Sequence, residues 1–372
     1  MNWFLFYVFA FSLSAFMCSL FKGLIADNVR YKLFKEIIWI ILMTIIPLLI
    51  ACNRYGIGQD YNTYENMIDL AGQSSRLGFY IYFNDFEIGD WAFFKIFYGI
   101  TNSPVGVFAV YSILTWIIMA IAILYYRDRV HIFTAIILIY ILFYPESLNI
   151  IRQGLAIAIV LVALRYIENK KLLKFLILII IATLFHYTSI IMIPYYFFYN
   201  YRNKYGQLIS KLIVIIYTIL PFAFVALFIN GTSIPIIGDY FKNYKLAFNT
   251  DFIVDLLWRI VLYLPWIKYV KSDIQRDKRN KLYYMMLLSD FEYIILSFMI
   301  NWGIRLTYYT VFAQVLIISN RIKYSSSIKT KHARIFYYLT FYIILFALLY
   351  CYWQRSGIVP FKSLAVKGRE GW

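Results

Sequence analysis

Residues 149–199 read NIIRQGLAIAIVLVALRYIENKKLLKFLILIIIATLFHYTSIIMIPYYFFY. The stretch is almost wholly apolar, yet it keeps an arginine near its start (Arg152) and a histidine near its centre (His186). Between them lies a basic elbow, Arg165 to Lys174, of the kind retained on the cytoplasmic side of a membrane. Moving an ionisable group into lipid costs several kcal/mol on the order of insertion scales, so the two polar residues call for partners and a role. The run 172–199 is too long for one upright helix and is interrupted by His186, Thr188, Ser189 and Pro194. Basic residues flank both of its ends, which predicts a helical hairpin or re-entrant pair with its tip near His186. A single tilted span is the rival reading.

Composition agrees with a membrane setting. Of the 372 residues 62% are hydrophobic and only 15% charged, a balance that excludes an ordinary soluble domain. The net charge of +17 would point to nucleic acid in a soluble protein. Here two thirds of the Lys and Arg sit in six short segments between apolar runs: 22–35, 127–129, 165–174, 202–211, 268–281 and 321–334. They read as topology determinants facing anionic lipid, with no nucleic acid as partner. The hairpin reading puts all six on the cytoplasmic side. The loop 52–90 then faces outward and carries two arginines against six acids, although the basic tail (Lys362, Lys367, Arg369) fits an outward C-terminus poorly.

Apolar runs at 2–21, 37–51, 103–126, 131–145, 149–167, 208–229, 252–270, 282–300, 303–320 and 335–353 are candidate spans. The expected fold is all-α: a polytopic integral membrane bundle of about 10–12 transmembrane or re-entrant helices forming a single domain over 1–372. Residues 2–21 lack a positive n-region and a small-residue cleavage site, and read as a first span. Cys18, Cys52 and Cys351 show no metal-ligand spacing.

In this topology the unusual polar residues collect on the outer face. Asn53-Arg-Tyr-Gly-Ile-Gly-Gln-Asp-Tyr-Asn-Thr-Tyr64 follows the second span and includes Arg54 and Asp60. Arg152 opens one span, His186 lies at the hairpin tip, Arg305 sits inside Asn301–Tyr309, and Arg355 closes the last span. Four arginines and a histidine on one side make an anion site, since guanidinium pairs with phosphate in two-pronged fashion and stays charged when partly buried. Each residue also has a plainer reading. A helix-end arginine snorkels to headgroups, His186 serves as a packed core histidine, and Asp60 forms a turn. Arg259, Asp290 and Glu292 fall within spans and read chiefly as a structural ion pair, though a proton pathway uses the same residue types. No nucleotide loop, dinucleotide fingerprint, zinc-protease motif, nucleophile elbow or aspartate-rich metal cluster is present, so no metal or cofactor is expected.

Arg54-Tyr-Gly-Ile-Gly-Gln-Asp-Tyr-Asn-Thr-Tyr64, Ile151-Arg-Gln-Gly-Leu-Ala156 and Phe185-His-Tyr-Thr-Ser-Ile190 resemble the EpsG family of bacterial membrane proteins. Glu87-Ile-Gly89, Arg305 with Tyr308, and Ile358-Val-Pro-Phe-Lys-Ser363 extend the resemblance over residues 54–363. Such a resemblance implies a Wzy-type polysaccharide polymerase, a membrane glycosyltransferase at the outer face of the bacterial cytoplasmic membrane. Its donor and acceptor are oligosaccharide repeat units carried on undecaprenyl pyrophosphate, and a chain-length regulator is a further candidate partner beside membrane lipid. The catalytic set expected from it is His186, Asp60 and Arg152, with His186 favoured as base. The substrate-binding set is Arg54, Arg305, Arg355, Tyr61, Tyr64, Gln153 and Tyr308. A flippase for lipid-linked oligosaccharides and a polysaccharide acyltransferase are the alternatives.

Overall fold

Two long apolar helices open the chain. α1 spans Trp3–Ile25 and α2 spans Lys32–Cys52. Pro47 lies inside α2, where it cannot bond the carbonyl one turn earlier, that of Met43. An unsatisfied carbonyl is costly in lipid, and here the hydroxyl of Tyr140 donates to it. The same hydroxyl meets Ser14 Oγ at 2.7 Å, so one tyrosine fastens α1 and α2 to a later helix. The computed structural model describes residues 3–25, 31–74, 87–200, 253, 256–257, 259–260, 267–299, 303–324 and 350. Every element among them is helical, and the chain is an all-α polytopic membrane protein.

Beyond α2 come α3 (Tyr61–Gln73), α4 (Ile88–Thr101), α5 (Pro104–Tyr126), α6 (Ile132–Leu142), α7 (Tyr144–Asn149) and α8 (Ile151–Glu168). α9 (Leu172–Phe185), a 3-10 turn (Tyr187–Met192) and α10 (Ile193–Asn200) follow. The remaining described helices are α11 (Val270–Arg276), α12 (Asn280–Met299), α13 (Ile304–Thr307) and α14 (Val311–Lys323). Three described stretches are long and apolar enough to cross a membrane: Phe4–Lys22, Lys32–Cys52 and Pro104–Tyr126. The expected span 208–229, all of 335–353 but residue 350, and most of 252–270 lie outside the described residues.

Two apolar runs are broken where the sequence reads as one span. The run 131–145 stops at Leu142 and restarts as α7, with Pro145 in the first turn, where its missing N–H costs no helical bond. The run 303–320 is divided into α13 and α14 by a turn at Tyr308–Thr310. In the other direction, the stretch expected as an external loop contains α3 and leads into α4. At 13 and 14 residues these helices are shorter than the about 20 that a span needs.

The chain packs as two compact units. The first comprises Met1–Val162, Ile177–Ser189 and Ile318–Trp372. At its centre Phe11, Trp116, Tyr140 and Tyr144 form an aromatic core, Phe11 stacking on Tyr140 with ring centroids 4.5 Å apart. At one end its basic segments converge. Lys22 donates to the Arg127 carbonyl, and Lys323 to that of Asp128. Arg127 pairs with Glu36 at 3.1 Å, and Asn320 donates to the Arg129 carbonyl at 2.7 Å.

The second unit comprises Ala163–Leu176 and Ile190–Ile317. Within it Phe175 stacks on Tyr196, ring centroids 5.5 Å apart, and the Asn200 side-chain amide donates to the Ile167 carbonyl at 3.0 Å. Residues 21 apart along a straight helix would lie about 30 Å apart at 1.5 Å each. The chain therefore doubles back between Phe175 and Tyr196. Tyr283 donates to Glu168 at the same end, so the elbow 165–174 and the start of α12 are joined there.

This unit also holds the Arg259–Asp290 pair. Arg259 Nε lies 2.9 Å from Asp290, and Nη2 donates to Thr307 at 2.8 Å. Thr310 and Gln314 donate to the same carboxylate at 2.6 and 3.0 Å. All five residues are buried, whereas Glu292 is exposed and stands apart from them. The pair anchors the break that carries Arg305 and Tyr308.

Candidate active site

Glu87 is the hub of the polar cluster in the first unit. It stands immediately before α4, in extended backbone, with its side chain 5% exposed. One carboxylate oxygen accepts from Arg152 Nη1 at 2.5 Å, and the other lies 2.9 Å from His186 Nδ1. Arg152 is the second residue of α8, and His186 follows the last residue of α9. Three separate elements thus deliver one polar side chain each to a single buried point.

The local backbone explains the meeting. Gly89 packs so closely on the end of α9 that an added Cβ would stand 2.5 Å from the Leu184 carbonyl oxygen. Glycine at this position lets α4 approach the histidine two residues further on. Phe93 packs its ring on Tyr111 at 4.2 Å and against Phe185 at 6.1 Å, an apolar collar beside the charges. Tyr111 donates its hydroxyl to Asp90, which is fully buried.

The two carboxyls behave differently. Burial raises Glu87, but the His186 hydrogen bond and the Arg152 charge outweigh it and leave the group below its ordinary value. Burial dominates at Asp90 and raises it well above the carboxylate range, even though its Oδ2 is 3.8 Å from Arg152 Nη1. Glu87 is therefore the counter-ion of Arg152, and Asp90 is the carboxyl whose charged form burial disfavours.

Arg54 lies in the loop ahead of α3, beside the junction of α7 and α8. Its Nη1 donates to the Leu148 carbonyl at 2.6 Å, and the guanidinium carbon stands 5.1 Å from the centre of the Phe108 ring. Gly58, at φ +102°, brings the loop against Leu148 and Asn149, a conformation a side chain would strain. The residue is 2% exposed, and burial lowers it to about 10, with Tyr144, Tyr61, Cys52 and Tyr64 opposing the shift only in part.

The other expected site residues fall as follows. Tyr64 lies between the two arginines: it faces Arg54, and Arg152 sits 5.6 Å over its ring. Tyr61 stacks on Phe108 at 4.8 Å, and Gln153 is buried beside Arg152 in α8. Asp60 ends the loop at the start of α3, its backbone N–H donating to Asn149 Oδ1 at 3.1 Å, while the Nδ1 partner of His186 is Glu87. Arg305 and Tyr308 are half-buried in the second unit, and Arg355 lies outside the described residues. Sequence reasoning names Glu87 only as one acid of a wet loop and as part of Glu-Ile-Gly. Gly89, two residues on, is the signal that marks it.

An α-helical membrane protein with a buried Arg–Glu–His cluster is thus the class that fold and site define. The chain belongs to the EpsG family, whose model matches residues 37–363. It is a membrane protein of polysaccharide biosynthesis, from a family associated with polymerase or glycosyltransferase-like activity. No curated protein and no solved structure matches it.

Proposed function

We propose that this protein is a Wzy-type polymerase that joins lipid-pyrophosphate-linked oligosaccharide repeat units at the outer face of the bacterial cytoplasmic membrane. The observation that carries the reading is Glu87, which holds His186 on one oxygen and Arg152 on the other. A carboxylate on Nδ1 fixes the imidazole with its proton there, so Nε2 carries the lone pair of a general base. His186 takes the proton of the acceptor hydroxyl, and that oxygen bonds to the anomeric carbon of the donor. The bond from this carbon to the pyrophosphate oxygen breaks, and the lipid pyrophosphate leaves with the electron pair. Arginine is the residue suited to the charge that develops there, and Arg152 and Arg54 are assigned to it. Convergence of basic segments at one end of the first unit supports a cytoplasmic end there by the positive-inside rule.

The test is reconstitution of purified protein in liposomes with undecaprenyl-pyrophosphate-linked repeat units, chelator, and no nucleotide sugar. A ladder of longer lipid-linked glycans is the expected product, lost on His186→Ala and Arg152→Ala with the proteins still in the membrane. Movement of units between leaflets without a ladder would make the protein a transporter. Wild-type ladders from both variants would remove His186 and Arg152 from the chemistry.

A further inference from the structure

Arg54 is a buried guanidinium whose hydrogen-bonding capacity is only partly used. It is 2% exposed, yet its Nε and Nη2 have no hydrogen-bond partner among the described residues. The partners it does have are neutral: the Leu148 carbonyl and the Phe108 ring. The groups around it are hydroxyls and a thiol, those of Tyr144, Tyr61, Cys52 and Tyr64, and among the described residues no carboxylate pairs with it. Arg152 is the contrast, for Glu87 neutralises it directly. A buried charge with neither counter-ion nor full hydrogen bonding destabilises the fold that contains it. Two adjacent orphan N–H donors on a planar guanidinium match the spacing of two oxygens on one phosphoryl group. Gly56 and Gly58, at φ +59° and +102°, follow Arg54 in the same loop and adopt torsions that other residues resist.

We infer that Arg54 anchors a binding site for a phosphate-class anion. Its occupant under the proposed function, on which this identification alone rests, is the diphosphate of a lipid-linked substrate. Arg54 then supplies the resting grip on the anion, whereas Arg152 must exchange Glu87 for it.

Thermal unfolding of the purified full chain in detergent tests this, with inorganic pyrophosphate, farnesyl diphosphate and farnesol as probes. Both diphosphates are expected to raise the melting temperature of the wild type, and farnesol is not. Arg54→Met is expected to melt higher than the wild type without anion and to lose the response, an apparent affinity at least about tenfold weaker. Arg54→Lys keeps the charge without the fork and is expected to lie between them. A response to pyrophosphate alone would assign the site to a free anion and detach it from the lipid substrate. The site is overturned if the wild type ignores both diphosphates, if Arg54→Met responds like the wild type, or if Arg54→Met is the less stable protein. Absence of a glycan ladder leaves these outcomes readable, so the two proposals fail separately.

Discussion

Gly89 lies against the carbonyl of Leu184, and this backbone contact sets the distance between Glu87 and His186. Gly89→Ala would place a Cβ 2.5 Å from that oxygen, closer than real contacts allow. Separation of α4 from α9 is expected, with a stability loss of about 1–3 kcal/mol and a glycan output that falls further than the stability. Melting curves beside ladder assays check it. A Gly89→Ala protein with wild-type values in both would show that the contact is dispensable.

Acid should act through Glu87. Its folded value lies below the ordinary 4.5, so the stabilisation it gives is complete above that pH and is lost as pH falls through the folded value. The melting temperature should owe no change to this group between about pH 7 and 5, then decline below about 4.5. Glu87→Gln should flatten that acid limb. Identical limbs in variant and wild type would assign acid sensitivity elsewhere.

Glu87 and Arg152 should be strongly coupled. Removing either partner leaves a buried charge or acceptor exposed to no compensation, a loss of roughly 3–5 kcal/mol. The double variant Glu87→Gln with Arg152→Gln should recover part of that loss in an unfolding cycle. Additive losses would mean that the two charges are solvated independently.

Arg259 and Asp290 provide the opposite experiment. Asp290→Asn strands Arg259 among Thr307, Thr310 and Gln314 and should lower expression and melting temperature sharply. The apolar pair Arg259→Met with Asp290→Leu should restore both, together with polymer formation, if the network is a fastening for the α13 break. A stable but inactive double variant would turn it into a proton pathway.

The sequence discloses helices well because lipid enforces run length. Arg152 and His186 stand out because apolar neighbours make them conspicuous. Glu87 does not, since an acid among acids in a polar loop carries no such contrast. α3 and α4 are missed for a related reason: one has too few apolar residues to register as a span, and the other is too short. The breaks at Phe143 and Tyr308 are invisible to hydropathy, because what divides those runs is Pro145 in one case and the Asp290 network in the other. Arg54 is visible as a residue, but its want of a counter-ion emerges only once its neighbours are known.

The doubling back of the chain between Phe175 and Tyr196 also orders events during biosynthesis. α9 is 14 residues long, too short to settle across the bilayer when it first emerges, and it requires the segment behind it. Glu87 and His186 are 99 positions apart in the chain. The nascent protein therefore acquires its acid first, its arginine next and its imidazole last. Until translation has passed Asn200, the bond that ties the returning chain to Ile167 cannot form.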